Sequence, residues 1–199
     1  MENIQINYNY FNWGPFLYKT KIEDEVVTKI LSHCKRDKKK DMRSRLAGHL
    51  NEEYELNPDD IMPLLIPYYH SYQQAAMEHH GVVFAKPLKM KSAWVNFMKE
   101  GEYNPPHIHS GCLSCVLYLQ VPEDIKENSK NHIGTSGPPG AINFSYGEGL
   151  YQNVNNHYCI PEVGDFYIFP AWLSHTVFPF KSNKERISLS ANLIEVDDG

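Results

Sequence analysis

From residue 91 onward the chain breaks into short apolar or alternating runs separated by turn residues, and this pattern limits the fold more than any other feature. The runs are SAWVNFM, PPHIH, LSCVLYLQV, GAINFSY, HYCIP, DFYIFP, SHTVFPF and RISLSANLIEV. Eight short strands within about 105 residues predict a small double-sheet barrel, the jelly roll or double-stranded β-helix. Aromatic content points the same way: 13% of residues, with thirteen Tyr, are of types that favour strands. The loops at 128–140 and 147–156 would rim the open mouth of such a fold, where function concentrates.

Residues 1–90 have a different texture, read as a strand followed by helices that support the β core at 91–199 within one domain. IEDEVVTKILSHCK places Ile22, Val26, Val27, Ile30 and Leu31 on one helical face, with acids in the first turn. NPDDIMPLLIPYYHSYQQAAMEHHG opens with Asn-Pro, carries acids early and closes at Gly81, which predicts a second helix, bent at Pro63 or Pro67.

Several function classes are disfavoured. The net charge of −5 argues against a generic binder of nucleic acid. The basic run KRDKKKDMRSR at 35–45 is read as a solvated loop after a helix. No stretch approaches the roughly 20 apolar residues of a membrane span, and MENIQINYNYFNWG lacks a signal-peptide core. Four cysteines at uneven spacing make no disulfide framework, so a reducing, cytoplasmic setting is expected. The NFS sequon at 143–145 then carries no meaning.

Two residues apart on one strand, His107 and His109 can present their imidazoles to a single point. His175, opening another strand in FPAWLSHTVFPF, offers a third. Three ligands on one face of an ion leave positions open for substrate and oxygen, as in non-haem iron enzymes, whose usual set is two His and a carboxylate. His109 would hold the carboxylate's place. A closed zinc site from His107, His109, Cys112 and Cys115 is the rival. Against it, Cys112 and Cys115 lie three apart and face opposite sides of a strand, and CLSC has no glycine for a tight turn. Small buried hydrophobes is the plainer reading of both cysteines; core or turn roles are the alternative for the three histidines.

Arg186 follows His175 by eleven residues and sits among the apolar residues of RISLSANLI. A charge there is costly without an anion, and a guanidinium fork holds a carboxylate in two parallel bonds, with Ser188 on the same strand face. Pairing with Glu185 or Glu195 at a barrel edge is the alternative.

The order His-x-His, long gap, His, ten residues, Arg-x-Ser resembles the 2-oxoglutarate- and Fe(II)-dependent oxygenases, jelly-roll enzymes with His-x-Asp/Glu at the first position. The text is most similar to an oxygenase group related to prolyl hydroxylases. VLYLQVPE, VGDFYIFPAWLSHTVFPF and RISLSANL carry the specific part, and SRLAGHLNEEYEL and WVNFMKEGEYNPPHIH extend the likeness over most of the chain. The resemblance implies Fe(II) on His107 and His175, with His109 where the family has its acid. It implies the distal carboxylate of 2-oxoglutarate on Arg186, with Ser188 and Tyr118 beside it and Asn96 facing the pocket. It also implies hydroxylation of a substrate C–H coupled to decarboxylation of 2-oxoglutarate. An imidazole for a carboxylate makes the metal site more positive by one charge. Two other readings stay open: a cupin-like three-histidine dioxygenase without 2-oxoglutarate, and a non-enzymatic binding module. Tyr103, Trp172 and the loop 128–140 flank the ligand strands and are expected at the substrate pocket. Neither the substrate nor the oligomeric state is legible.

Overall fold

A computed structural model describes residues 14–150 and 154–197. The N-terminal stretch read for a signal sequence, up to residue 13, and positions 151–153 of the second long loop lie outside the described residues.

All eight expected strands form, together with two more from the N-terminal part. A six-stranded antiparallel sheet has the order β1 (Tyr18–Lys21), β8 (Asp165–Pro170), β5 (Leu113–Gln120), β10 (Arg186–Glu195), β3 (Leu88–Met98), β2 (Glu53–Leu56). A four-stranded sheet has the order β4 (Asn104–His107), β9 (Ser174–Val177), β6 (Ile142–Ser145), β7 (Asn156–Cys159). From β3 to β10 the chain passes back and forth between the sheets, which is the jelly-roll winding. The sheets stay separate and do not close into a barrel.

Alternation along each strand sorts side chains into two layers of core. On β10, Ile187, Leu189, Ala191 and Leu193 face outward into a large cluster with Ala93, Val95 and Phe97 of β3 and Leu113, Cys115 and Leu117 of β5. Helices α1 (Asp24–His33) and α2 (Pro58–His80) cover that cluster through Val27, Ile30, Ile61, Leu65, Tyr69, Tyr72 and Ala76. The other face, between the sheets, packs Val116, Tyr118, Ile142, Phe144, Tyr167, Phe169 and Leu173. The polar members of β10, Arg186, Ser188, Ser190 and Asn192, belong to this inner face.

The caps of α2 follow its sequence. Asn57 accepts the Asp59 N–H at 3.2 Å, Pro58 occupies the first turn, and Gly81 ends the helix at φ 65°. The helix runs unbroken through Pro63 and Pro67. Pro67 removes the bond its N–H would give residue 63, and packing of the apolar stripe holds the turn instead. Two elements escaped the sequence reading. β2 is four residues long, and α3 (Glu123–Lys130) buries only Ile125, too little periodicity to register. Its last turn takes the start of the loop expected at 128–140. The basic run behaves as expected: Lys38, Lys39 and Lys40 are exposed, Arg43 pairs with Asp41, and Arg36 bridges Glu52 and Glu185. No helix among the described residues is long and apolar enough to cross a membrane.

Candidate functional site

β4 and β9 pair antiparallel with His107 opposite His175, so register alone brings these imidazoles together, their ring centroids 4.3 Å apart. β4 ends at His107, and His109 lies just beyond it, pinned by its N–H to the Ala171 carbonyl at 2.8 Å. The side-by-side placement expected of i and i+2 survives: the His109 ring stands 5.0 Å from both others. The chain then turns at Gly111, whose φ of 105° and close approach to the Leu193 carbonyl exclude a side chain.

Ligand nitrogens of the three histidines lie within 4.8 Å of one another, and His109 Nε2 is 3.2 Å from His175 Nε2. Two imidazole nitrogens each about 2.1 Å from one first-row ion, at right angles, stand about 3.0 Å apart, so the observed spacing suits a shared ion. Backbone carbonyls fix the rings. His107 Nδ1 bonds Pro105 O at 2.7 Å and His175 Nδ1 bonds Leu173 O at 3.0 Å. Each Nδ1 is thereby the donor, and each Nε2 keeps its lone pair for a ligand. Burial, reinforced by the neighbouring rings, holds His175 down to about 3 and His109 to about 4, and burial also lowers His107. All three are neutral imidazoles at neutral pH, the form a metal requires.

The cysteines do not join them. Cys112 points its thiol to the Leu193 carbonyl, and Cys115 lies in the helix-side core against the Tyr69 hydroxyl at 3.2 Å. Burial raises the Cys115 thiol to about 12, far from the thiolate that zinc needs. Among the described residues, the three histidines are the ligand group gathered for a metal.

Arg186 is 3% exposed, and its guanidinium has no carboxylate partner among the described residues. Its Nη1 donates to Gly140 O at 2.9 Å, Nη2 lies 2.6 Å from Met98 Sδ, and the buried Nε–H has no partner among the described residues. The Tyr118 and Phe180 rings lie 5.5 and 5.6 Å from its centre. Glu185, the acid considered for it, is taken by Arg36, and Glu195 is exposed. Burial weakens the hold on the Arg186 proton, and an anion entering beside it would reverse that pressure.

One cavity between the sheets connects the two features. It is lined by His107, His109, His175, Arg186, Ser188, Tyr118 and Asn96, the expected set, together with Trp94, Asn104 and Ser190. Asn96 Nδ2 donates to the hydroxyls of Ser188 at 3.3 Å and Ser190 at 3.2 Å. Alternation along RISLSANL could have nominated Ser190. Tyr103 and Trp172 do not line this cavity. Tyr103 stacks flat on His49 at 4.7 Å, and Trp172 lies against Tyr146 at 5.9 Å, both exposed. Of the loop expected to border the pocket, only Gly140 touches this constellation, through its carbonyl on Arg186.

Residues 92–192, 101 of the 199, match the family described as "Putative 2OG-Fe(II) oxygenase". No curated protein matches the chain. Among solved structures, a Pseudomonas putida prolyl-4-hydroxylase is similar at TM-score 0.58 and 14% identity, over 91% of this chain and 93% of that one. The viral collagen prolyl hydroxylase of Paramecium bursaria Chlorella virus-1, solved as a 2OG complex, is similar at 0.59 and 13%, over 92% and 98%. A Trichoplax adhaerens prolyl hydroxylase, in complex with a peptide fragment of the hypoxia inducible factor oxygen degradation domain, gives 0.58 and 11%, over 90% and 83%. At such identities these likenesses show the shared fold.

Proposed function

The chain belongs to the 2OG-Fe(II) oxygenase family, and on that premise we propose that it is a dioxygenase of the hydroxylase type with iron on His107, His109 and His175 and 2-oxoglutarate on Arg186. The observation that carries this reading is the buried Arg186 guanidinium, without an acid of its own among the described residues, in the cavity the three histidines line. A structural arginine at that depth would be expected to have a carboxylate partner.

When bound, the iron and its keto-acid cosubstrate supply the oxidising chemistry, and the chain supplies placement. His107 and His175 are held by the Pro105 and Leu173 carbonyls so that each offers Nε2 without reorganisation. His109 offers a neutral nitrogen where the usual set has an anion, so the protein contributes no negative charge to the metal. Arg186 is suited to take the distal carboxylate through its free Nε–H and the adjoining terminal amine, and Ser188 has its hydroxyl proton to add, since its oxygen accepts from Asn96. Tyr118 closes the apolar wall under the guanidinium and strengthens that pairing by excluding water. Tyr103 and Trp172, exposed beside Asn104 and Leu173, are assigned to the rim over which substrate arrives. The solved relatives named above include one with a peptide bound, which supports a rim open to a large substrate.

Anaerobic titration with Fe(II), with and without 2-oxoglutarate, tests the reading. A metal-to-ligand charge-transfer band that disappears in Arg186→Ala is expected. Iron binding that ignores 2-oxoglutarate would instead favour the three-histidine dioxygenase without it.

A further inference from the structure

One strand beyond Asn96, the inner face of the six-stranded sheet buries an acid that neither the histidines nor Arg186 uses. Glu53 on β2 is 1% exposed, and neither of its carboxyl oxygens has a hydrogen-bond partner among the described residues. Its partner across the strands is Asn96. The Phe97 N–H donates to Glu52 O at 3.0 Å, which makes Glu53 and Asn96 a non-hydrogen-bonded pair. In such pairs the Cα atoms stand about 4.5 Å apart and side chains are closest. The Asn96 amide has one orientation: Nδ2 lies 3.4 Å from the Ser188 carbonyl, which can only accept, besides the two serine hydroxyls. Its Oδ1 therefore turns away from β10, and it too is buried without a partner among the described residues. Two orphaned acceptors lie on adjacent strands of one face.

We propose that Glu53 is protonated and donates to Asn96 Oδ1, and that it is a positioning residue, orienting the Asn96 amide and through it the Ser188 and Ser190 hydroxyls in the cosubstrate cavity. The positioning role rests on the functional reading above; the pair does not. One proton turns two unsatisfied acceptors into a hydrogen bond and removes an unpaired buried carboxylate. The surroundings act in the same sense. Burial, then the negative charges of Glu102 and Asp41, push Glu53 up to about 7, with Arg43 opposing. Glu102 is held by the N–H groups of Asn51 and Lys99, and Asp41 by Arg43. His49, on the neighbouring segment, stacks on Tyr103. Gly48 closes the remaining side: a Cβ there would lie 3.0 Å from Glu53 Oε1 and 3.1 Å from Asn104 Oδ1.

Two measurements test this. Infrared difference spectra of the protein should show a protonated-carboxyl C=O band below about pH 7 that is missing in Glu53→Gln, shifted in Asn96→Leu and unmoved in Asn104→Leu. A wild type without the band at pH 6, or a band indifferent to Asn96→Leu, would overturn the pair. Second, wild-type affinity for 2-oxoglutarate, read anaerobically with Fe(II), should fall about tenfold as pH rises past about 7, the worth of one hydrogen bond. Glu53→Gln, a permanent neutral donor, should keep the low-pH affinity throughout. A variant retaining the wild-type pH slope overturns the positioning role. An intact infrared pair with no charge-transfer band in wild type at any pH overturns both that role and the cosubstrate reading.

Discussion

Replacing Arg186 by methionine separates a binding arginine from a structural one by the sign of the stability change. The side chain is 3% exposed and carries its charge with one carbonyl bond, one sulfur contact and two aromatic faces, but no carboxylate among the described residues. Losing a charged bond to Gly140 O costs about 1.5–3 kcal/mol, and each cation–ring contact about 0.5–2. Against this stands the desolvation of an unpaired guanidinium, still several kcal/mol after relaxation. Methionine keeps the volume and adds contact to Met98, its cross-strand partner. Without cosubstrate, Arg186→Met should therefore lie between neutral and about 2 kcal/mol more stable than wild type. With 2-oxoglutarate at a hundred times its Kd, and Fe(II) under anaerobic conditions, wild type should gain about 2.7 kcal/mol. That is about 5–10 °C in Tm for a chain of this size, and the variant should gain nothing. Denaturant and thermal unfolding with and without 2-oxoglutarate read both effects. An Arg186→Met protein destabilised by about 3 kcal/mol or more, or one still stabilised by 2-oxoglutarate, would refute the argument.

His109→Ala should weaken Fe(II) binding by more than the roughly 10–100-fold that loss of an outer partner costs, while His109→Asp keeps the site; equilibrium dialysis that finds the alanine variant unchanged would remove His109 from the ligand set. Cys112→Ala and Cys115→Ala should leave metal content unaltered, because neither thiol is gathered with the histidines. Cys115→Ala should still cost about 1 kcal/mol in urea unfolding for its lost packing and its contact to Tyr69. Leu65→Ala, at a fully buried position of α2, should cost about 2–5 kcal/mol, with iron binding intact in the remaining folded protein.

Glu53 shows where reading the chain stops. In NEEYELN it is one of two adjacent acids, and nothing local distinguishes it from Glu52, which sits nearer the surface between Arg36 and Lys99. Only the pairing of β2 with β3 puts Glu53 on the buried face beside Asn96. Tyr103 and Trp172 lie outside the cavity of the histidines and Arg186 for a related reason. Tyr103 precedes Asn104, which lines the cavity, but adjacent positions along extended chain point to opposite sides, and Trp172 lies in the turn between β8 and β9. Asn104 therefore turns inward while the Tyr103 ring remains outside, and the Trp172 ring lies exposed against Tyr146.

What the chain determined by itself was whatever repeats with a local period or has a costly chemistry. Alternating runs and turn residues specified eight strands, 3.6-residue stripes and caps specified two helices, and a lone arginine in an apolar strand raised the expectation of an anion beside it. These are short-range signals, since burial of a strand face or a helix stripe is written in its own residues. The tertiary structure decided which histidines share a point, through the register of β4 on β9 rather than through the spacing of His107 and His109 alone. It also sent Cys115 to the helix side and left Arg186 without an acid among the described residues. Those outcomes depend on contacts between residues tens of positions apart, whose pairing is chosen by how two sheets and two helices fill one core together.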